Sequence, residues 1–176
     1  MKKTLLILFA IVTGFTSCDK VNDLKTKEFY DIELSKETVI TVNTAEAVSI
    51  KADEAYAFSE TINLNLSDID DIKDYLNKLE DVDVTSVNCE ITGLSGGEIQ
   101  TLIISVPDLN FEFEFTEVSE NQSLFVNFTA VQLDAIADAL LKNKTLKITI
   151  SGTVSEQPSS FTIETLALVD VEVEVV

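Results

Sequence analysis

Three residue types that perform much of protein chemistry are missing from this sequence. It has no histidine, no tryptophan and no arginine, because all 12 of its basic residues are lysines. Without histidine, the usual general base at neutral pH is absent, and Ser-His-Asp catalysis, Cys-His catalysis and imidazole metal sites are excluded. Without arginine, there is no bidentate clamp for phosphate or carboxylate groups. The sequence therefore predicts a protein that is not an enzyme and that has no cofactor.

Positive charge is also scarce. The 12 lysines stand against 31 acidic residues, which gives a net charge of -19. A surface this acidic repels phosphate backbones and anionic lipid headgroups. We therefore expect no nucleic-acid partner and no charge-driven binding to a membrane, and solubility alone accounts for the acidity.

The first 17 residues have the three zones of a secretory signal peptide. Lys2 and Lys3 begin the chain, residues 5–12 are apolar, and residues 13–17 form a short polar stretch. The apolar run is roughly half of the ~20 residues that a membrane-spanning helix needs, which favours a cleaved peptide. Removing residues 1–17 takes away two lysines and no acids, so the mature chain carries 10 lysines minus 31 acids, a net charge of -21.

The residues around Cys18 carry a more specific signal. Small Thr16 and Ser17 precede Cys18 and resemble a lipobox, where signal peptidase II of bacterial lipoproteins cleaves after diacylglycerol has been attached to the cysteine thiol. The resemblance implies that Cys18 carries lipid, including a fatty acid such as palmitate. Two or more acyl chains would hold the protein on a membrane. The alternative is ordinary secretion with Cys18 unmodified.

Cys89 has no partner for an intramolecular disulfide if Cys18 is acylated. It alternates with Val87 and Ile91 on the apolar side of a predicted strand. We expect Cys89 to be a small buried core residue.

After a polar tether at residues 18–27, residues 28–176 read as a single β-rich domain, because apolar and polar residues alternate along many segments. Phe111, Phe113 and Phe115 alternate with glutamates, and odd positions from 161 to 175 are apolar except Thr165. The latter run predicts one long strand or two joined by a bend. Further strands are predicted near 28–34, 37–42, 47–52, 55–66, 82–93, 98–106, 123–128 and 146–150.

Two segments have helical periodicity instead. Residues 67–79 place apolar side chains on one helical face, with Ser67 as the N-cap, and residues 130–141 do so after Thr129 and Gln132, which form a capping-box pattern. A strand precedes and follows each segment. The sequence thus predicts a mainly β protein, a two-sheet antiparallel β-sandwich with two short crossover helices, about 67–79 and 130–141. The alternative is a single α+β sheet with both helices on one face.

Three sets of residues are weak candidates for a site. Oxygen ligands suit calcium, but the helix-start acids lack the EF-hand order, so we expect no metal site there. Glu112 with Glu114, or Glu172 with Glu174, could form a carboxylate-only hydrolase, although these pairs are expected on a wet face. Five phenylalanines could line a pocket for an apolar, lipid-like ligand, but such a stripe more often forms core. The calcium candidates are Asp68, Asp70, Asp71 and Asp74, and the phenylalanines are Phe111, Phe113, Phe115, Phe125 and Phe128.

The lipobox and the acidic, strand-rich body together resemble small, uncharacterised β-rich lipoproteins of Bacteroidota. The resemblance implies a location in the bacterial cell envelope, in the outer membrane rather than the inner, with the periplasmic and surface faces both open. It also implies a non-catalytic binding or structural role, with a glycan or an envelope protein as partner. Carrying a lipid-like ligand inside the sandwich, or carboxylate-only hydrolysis, are the alternatives.

Overall fold

The computed structural model describes residues 26–42, 47–48, 55–95, 97–119, 122–156 and 159–175. Strands make up most of this part of the chain. They are β1 (Thr26–Val42), β2 (Ala47–Val48), β3 (Ala55–Asn65), β4 (Leu79–Ser95), β5 (Ile99–Val106), β6 (Phe111–Val118), β7 (Ser123–Phe125), β8 (Thr145–Val154) and β9 (Ser159–Glu174). Between them lie the α-helix α1 (Ala130–Asn143) and the 3-10 helices Leu66–Asp68, Lys73–Lys78 and Pro107–Leu109.

The strands form two antiparallel sheets. The four-stranded sheet has the order β1-β9-β4-β7, and the five-stranded sheet has the order β2-β3-β8-β5-β6. Among the described strands, the chain changes sheet at every connection except β2 to β3 and β5 to β6. This order is that of a jelly roll, a two-sheet sandwich built from two Greek keys. The predicted antiparallel β-sandwich is confirmed, and the single-sheet alternative is wrong.

The two long strands β1 and β9 pair along most of their length. The strands predicted at 28–34 and 37–42 are one strand, which begins at Thr26 and contains a β-bulge between Phe29 and Ile32. Within the bulge, Asp31 has a positive φ of 52°, and its N–H donates to a carboxylate oxygen of Asp170 at 2.7 Å. Because of the bulge, β1 stays paired with β9 on both sides of the irregularity. The long alternating run predicted at 161–175 therefore belongs to a single strand, β9, rather than to two.

Helix α1 begins where the sequence predicts it. The Thr129 hydroxyl accepts from the Gln132 N–H, and the Gln132 side-chain oxygen accepts from the Thr129 N–H at 2.9 Å, which completes the predicted capping box. The helix buries Ile136, Ala137 and Leu140 and packs against β4 and β8. It therefore joins the two sheets and covers the side of the sandwich where the short strand β7 lies.

The segment predicted as a helix at 67–79 is two 3-10 helices instead, and Ser67 is not an N-cap. Asn65 occupies the N-cap position of the first 3-10 helix, and its side chain makes no capping hydrogen bond. The apolar residues Leu66, Ile69, Ile72 and Tyr75 follow one another at steps of three, and the first three are buried. A 3-10 helix has three residues per turn, so residues at steps of three lie on one side of it. In an α-helix, with about 3.6 residues per turn, the same side chains would spread around the axis.

The core lies between the sheets and is filled by side chains from alternate positions. Within it, Phe58 of β3 contacts Phe161 of β9, with ring centroids 5.2 Å apart in an edge-to-face arrangement. Along β9 the odd positions from 159 to 173 are buried, and the even positions face outwards. This alternation gives the four-stranded sheet an outer face, to which β1, β4, β7 and β9 all contribute.

Candidate functional site

The predicted signal peptide, Cys18 and all of the predicted tether before Thr26 lie outside the described residues. Strand β1 begins within the last two residues of that tether. In the described part of the chain, no helix is long and apolar enough to cross a membrane.

The four calcium candidates do not converge on a common point. Asp70 forms an exposed ion pair with Lys73, with 2.7 Å between its carboxylate oxygen and the lysine Nζ, and this bond lowers the pKa of Asp70. Asp68 accepts a hydrogen bond from the Asn65 side chain at 3.1 Å. Asp71 and Asp74 are exposed. Within the described ranges, no group of three or more acidic or cysteine side chains is arranged to hold a metal ion.

The five phenylalanines divide between two places. Phe111 and Phe113 of β6 pack edge-to-face on Phe128, with centroid distances of 6.3 Å and 4.7 Å. Phe115 is half-buried on the same side of β6. Phe125, in contrast, is 65% exposed and lies on the four-stranded sheet. The five phenylalanines therefore do not line one pocket. Four of them pack against the core, and Phe125 lies on the surface.

The two glutamate pairs lie in different sheets. Glu112 and Glu114 are exposed on β6 of the five-stranded sheet, as expected from the inward-facing phenylalanines. Glu172 and Glu174 are on the outer side of β9 in the four-stranded sheet. Each pair therefore lies on a solvated face, and neither is enclosed in a buried cleft.

Cys89 is buried, with 2% of its side chain exposed. Burial raises the pKa of its thiol to about 11, although contact with the Thr165 hydroxyl opposes the shift. The two side chains lie 3.6 Å apart in the core, on the neighbouring strands β4 and β9. The thiol is therefore protonated at neutral pH, and the prediction of a small core residue is confirmed.

The outer face of the four-stranded sheet, which we call the acidic face, carries two rows of carboxylates. In each row a glutamate of β9 is directly opposite an acid of β1 on one side and an acid of β4 on the other. Like charges directly opposite one another destabilise an antiparallel sheet. The first acidic row is Glu28, Glu172 and Asp81, and the second acidic row is Glu37, Glu164 and Glu90.

Further acids extend the first acidic row. Asp170 lies opposite Asp83 of β4 and accepts the N–H of Asp31 from the bulge of β1. A shallow cleft of about 150 Å³ opens here, lined by the first acidic row, by Asp83 and Asp170, and by Phe29 and Tyr30. The cleft is open to solvent and polar, which suits contact with a cationic group more than enclosure of an apolar ligand.

Lysine is missing from the acidic face over the described parts of its strands. β4, β7 and β9 contain no lysine. In β1, Lys27 and Lys36 lie opposite Val173 and Thr165, whose side chains point into the core. Lys27 places its Nζ 4.2 Å from the ring centroid of Phe29. Among the described residues of these four strands, the rows therefore have no counter-charge on their own face.

Between the two rows lies a set of apolar side chains, which we call the apolar strip: Phe125, Leu166 and Leu168. Leu166 and Leu168 are half-buried on the outer side of β9. Asn88 of β4 is opposite both Phe125 and Leu166. A second cleft, of about 190 Å³, is lined by Phe125, Leu166 and the carboxylates of Glu90 and Glu164.

Sequence reasoning did not find the acidic face, although β9 carries a signal for it. The even positions of that strand should be polar if the odd ones face the core, yet positions 166 and 168 are both leucine. Two leucines on the wet side of a strand, with acids before and after them, mark an apolar strip between charges. The partners of these residues on β1 and β4 follow only from strand order and register.

No protein-family model matches this chain, and no curated protein sequence matches it. Similar solved structures include three from viruses. The BFDV capsid protein, in a decameric crystal structure, is 10% identical over 84% of this chain and 99% of its own, with a TM-score of 0.47. A chain of the full particle of Israeli acute paralysis virus, heated to 63 degrees, is 7% identical over 99% of this chain and 87% of its own, with a TM-score of 0.37. A capsid chain of Helicobacter pylori bacteriophage KHP30 is 12% identical over 85% of this chain and 99% of its own, with a TM-score of 0.31.

Proposed function

We propose that the protein is an exported bacterial lipoprotein, anchored through lipid on Cys18, with a non-catalytic binding or assembly role in the cell envelope. The observation that carries the proposal is the order of a basic start, a short apolar run and a small-residue pair directly before Cys18. Two or more acyl chains on that residue would keep the domain on an outer or inner membrane, with the outer membrane favoured by the resemblance to Bacteroidota lipoproteins.

The chemistry of the domain supports a non-catalytic role. The chain has no histidine or arginine, and burial keeps the Cys89 thiol protonated at neutral pH. The carboxylate pairs that could have served in hydrolysis lie on solvated strand faces. What the domain offers instead is a rigid sandwich with broad outer faces, which suits contact with a macromolecule.

Metabolic labelling with an alkyne analogue of palmitate tests the anchor. The full-length chain is expressed in a bacterium that processes lipoproteins, and the label is detected on the purified protein together with its intact mass. We expect label on the wild type and on Cys89→Ser, which is the matched cysteine control, and none on Cys18→Ser. Cleavage without any acyl group, or label that survives in Cys18→Ser, would refute lipid attachment at this residue.

A further inference from the structure

We propose that the acidic face docks a basic protein segment that has aliphatic or aromatic side chains at its centre and lysine or arginine on both sides. This inference rests on the proposed function, since a non-catalytic lipoprotein acts by binding, and it names the surface and the chemistry of the partner. The occupant follows from the charge of the face and from the position of the apolar strip.

The charge of the acidic face is complementary to that of a basic segment. Both acidic rows place like charges directly opposite one another across β1, β9 and β4, and no lysine shares their face in the described strands. Folding gains nothing from such an arrangement, because opposed like charges destabilise a sheet. A partner that brings positive charge to the rows removes this repulsion, steers its own approach and suppresses binding of acidic competitors.

The order of side chains along β9 places apolar residues between acids. Glu164, Leu166, Leu168, Asp170 and Glu172 alternate with buried residues and all face outwards. The two leucines thus lie between acids, and Phe125 adjoins them on β7 at 65% exposure. Specific interfaces have this anatomy, with an apolar centre anchored by an aromatic residue and a charged rim.

The spread of the carboxylates favours a protein segment over other cations or surfaces. Neighbouring strands are about 4.8 Å apart, and the rows at Glu164 and Glu172 are separated by roughly 27 Å along β9. Among the described residues, no acids converge as a metal site requires. An anionic lipid surface would be repelled by the rows, and a neutral glycan would not interact with their charge. Lysine and arginine side chains on an extended or folded segment can reach both rows at once.

The outer face of the five-stranded sheet differs and provides the comparison surface. There, hydroxyl groups bond to one another: Thr61 to Thr149 at 3.1 Å and Thr101 to Thr153 at 2.9 Å. Lys147 also lies on that face, opposite Asn63. Because its polar groups are paired and its charge is mixed, this face has neither of the two features that select a basic partner.

Fluorescence anisotropy tests the proposal. Full-length protein, purified in a non-ionic detergent, is titrated with a fluorescein-labelled peptide that has Leu-Val-Leu at its centre and two lysines at each end. We expect saturable binding that weakens at least about five-fold between 50 mM and 300 mM salt, because exposed charges are screened over that range. The same peptide with glutamates at its ends should not bind, and the peptide with serines at its centre should bind at least about five-fold more weakly.

Variants locate the binding. The triple variant E37Q/E90Q/E164Q and the single variant Phe125→Ala should each weaken binding of the basic peptide by at least about ten-fold. The matched control E112Q/E114Q/E117Q removes the same charge from β6, where all three glutamates are exposed, and should change binding less than about two-fold. Circular dichroism confirms that each variant is folded.

Three results would overturn the proposal. They are the absence of saturable binding by the basic peptide, equal weakening in the two triple variants, and displacement of the peptide by stoichiometric calcium, which would assign the face to a metal. Acylation of Cys18 is read in a separate assay. If the peptide does not bind, the proposal of a lipid anchor is unaffected. If Cys18 carries no acyl group, the binding assay still tests the acidic face.

Discussion

Replacing Glu164 with lysine should stabilise the domain. Glu164 is the centre of the second acidic row, directly opposite Glu37 and Glu90, so the change removes two like-charge pairs and creates two ion pairs. Each cross-strand charge pair is worth about 0.2–1 kcal/mol. Since Glu37 and Glu90 are exposed, water screens all four contributions and the lower end of the range applies. We expect a gain of about 1 kcal/mol in the free energy of unfolding, or roughly 2–4 °C in Tm for a domain of this size.

Urea and thermal unfolding measure the effect, with Glu114→Lys as the control. Glu114 lies opposite Ile103 on β5, so its replacement changes the net charge equally but makes no new ion pair. The difference between the two variants should shrink as salt is raised, because the Debye length falls from about 10 Å at 0.1 M to about 3 Å at 1 M. Equal stabilisation by both variants, or a difference that salt does not reduce, would show that the register of the acidic row has no energetic effect.

Two further predictions concern the core. Phe161→Ala should destabilise the domain by about 3–5 kcal/mol in urea unfolding, because Phe161 is 1% exposed and packs on Phe58, whereas Phe125→Ala should change stability by less than about 0.5 kcal/mol. An equal loss in both variants would contradict the assignment of Phe125 to the surface. Because burial raises the pKa of Cys89 to about 11 from an ordinary value of 9.0, the folded chain disfavours the thiolate, and stability should fall as the pH rises from about 9 to about 11. Cys89→Ala should lack this component of the pH dependence, and a parallel fall in both proteins would refute it.

The sequence predicts which residues face inwards far better than which strands are neighbours. Alternation along 161–175 gives the buried side of β9 correctly, and the pair Thr129 and Gln132 gives the start of α1. Both signals are local, since side-chain direction and capping depend on residues only a few positions apart. The segment 67–79 fails because steps of three and steps of three to four differ little over so few residues, and packing selects the 3-10 form.

The acidic face could not be assembled from the sequence for a different reason. Glu37, Glu90 and Glu164 are far apart in the chain and become neighbours only through the placement of β9 between β1 and β4. Alternation does not encode strand order, because many orders bury the same residues. The predicted antiparallel sandwich is therefore correct as an architecture, while the jelly-roll order and the rows that follow from it required the structure.

The position of β9 also governs when the domain can fold. β9 follows all the other described strands in sequence, yet it lies between β1 and β4, which do not pair with each other in the four-stranded sheet. In a nascent or translocating chain, β1 and β4 therefore lack the strand that pairs with both of them until residues 159–174 are available. Such dependence on distant contacts slows folding. For a protein proposed to cross a membrane before it folds, this strand order delays closure of the four-stranded sheet until residues 159–174 have passed.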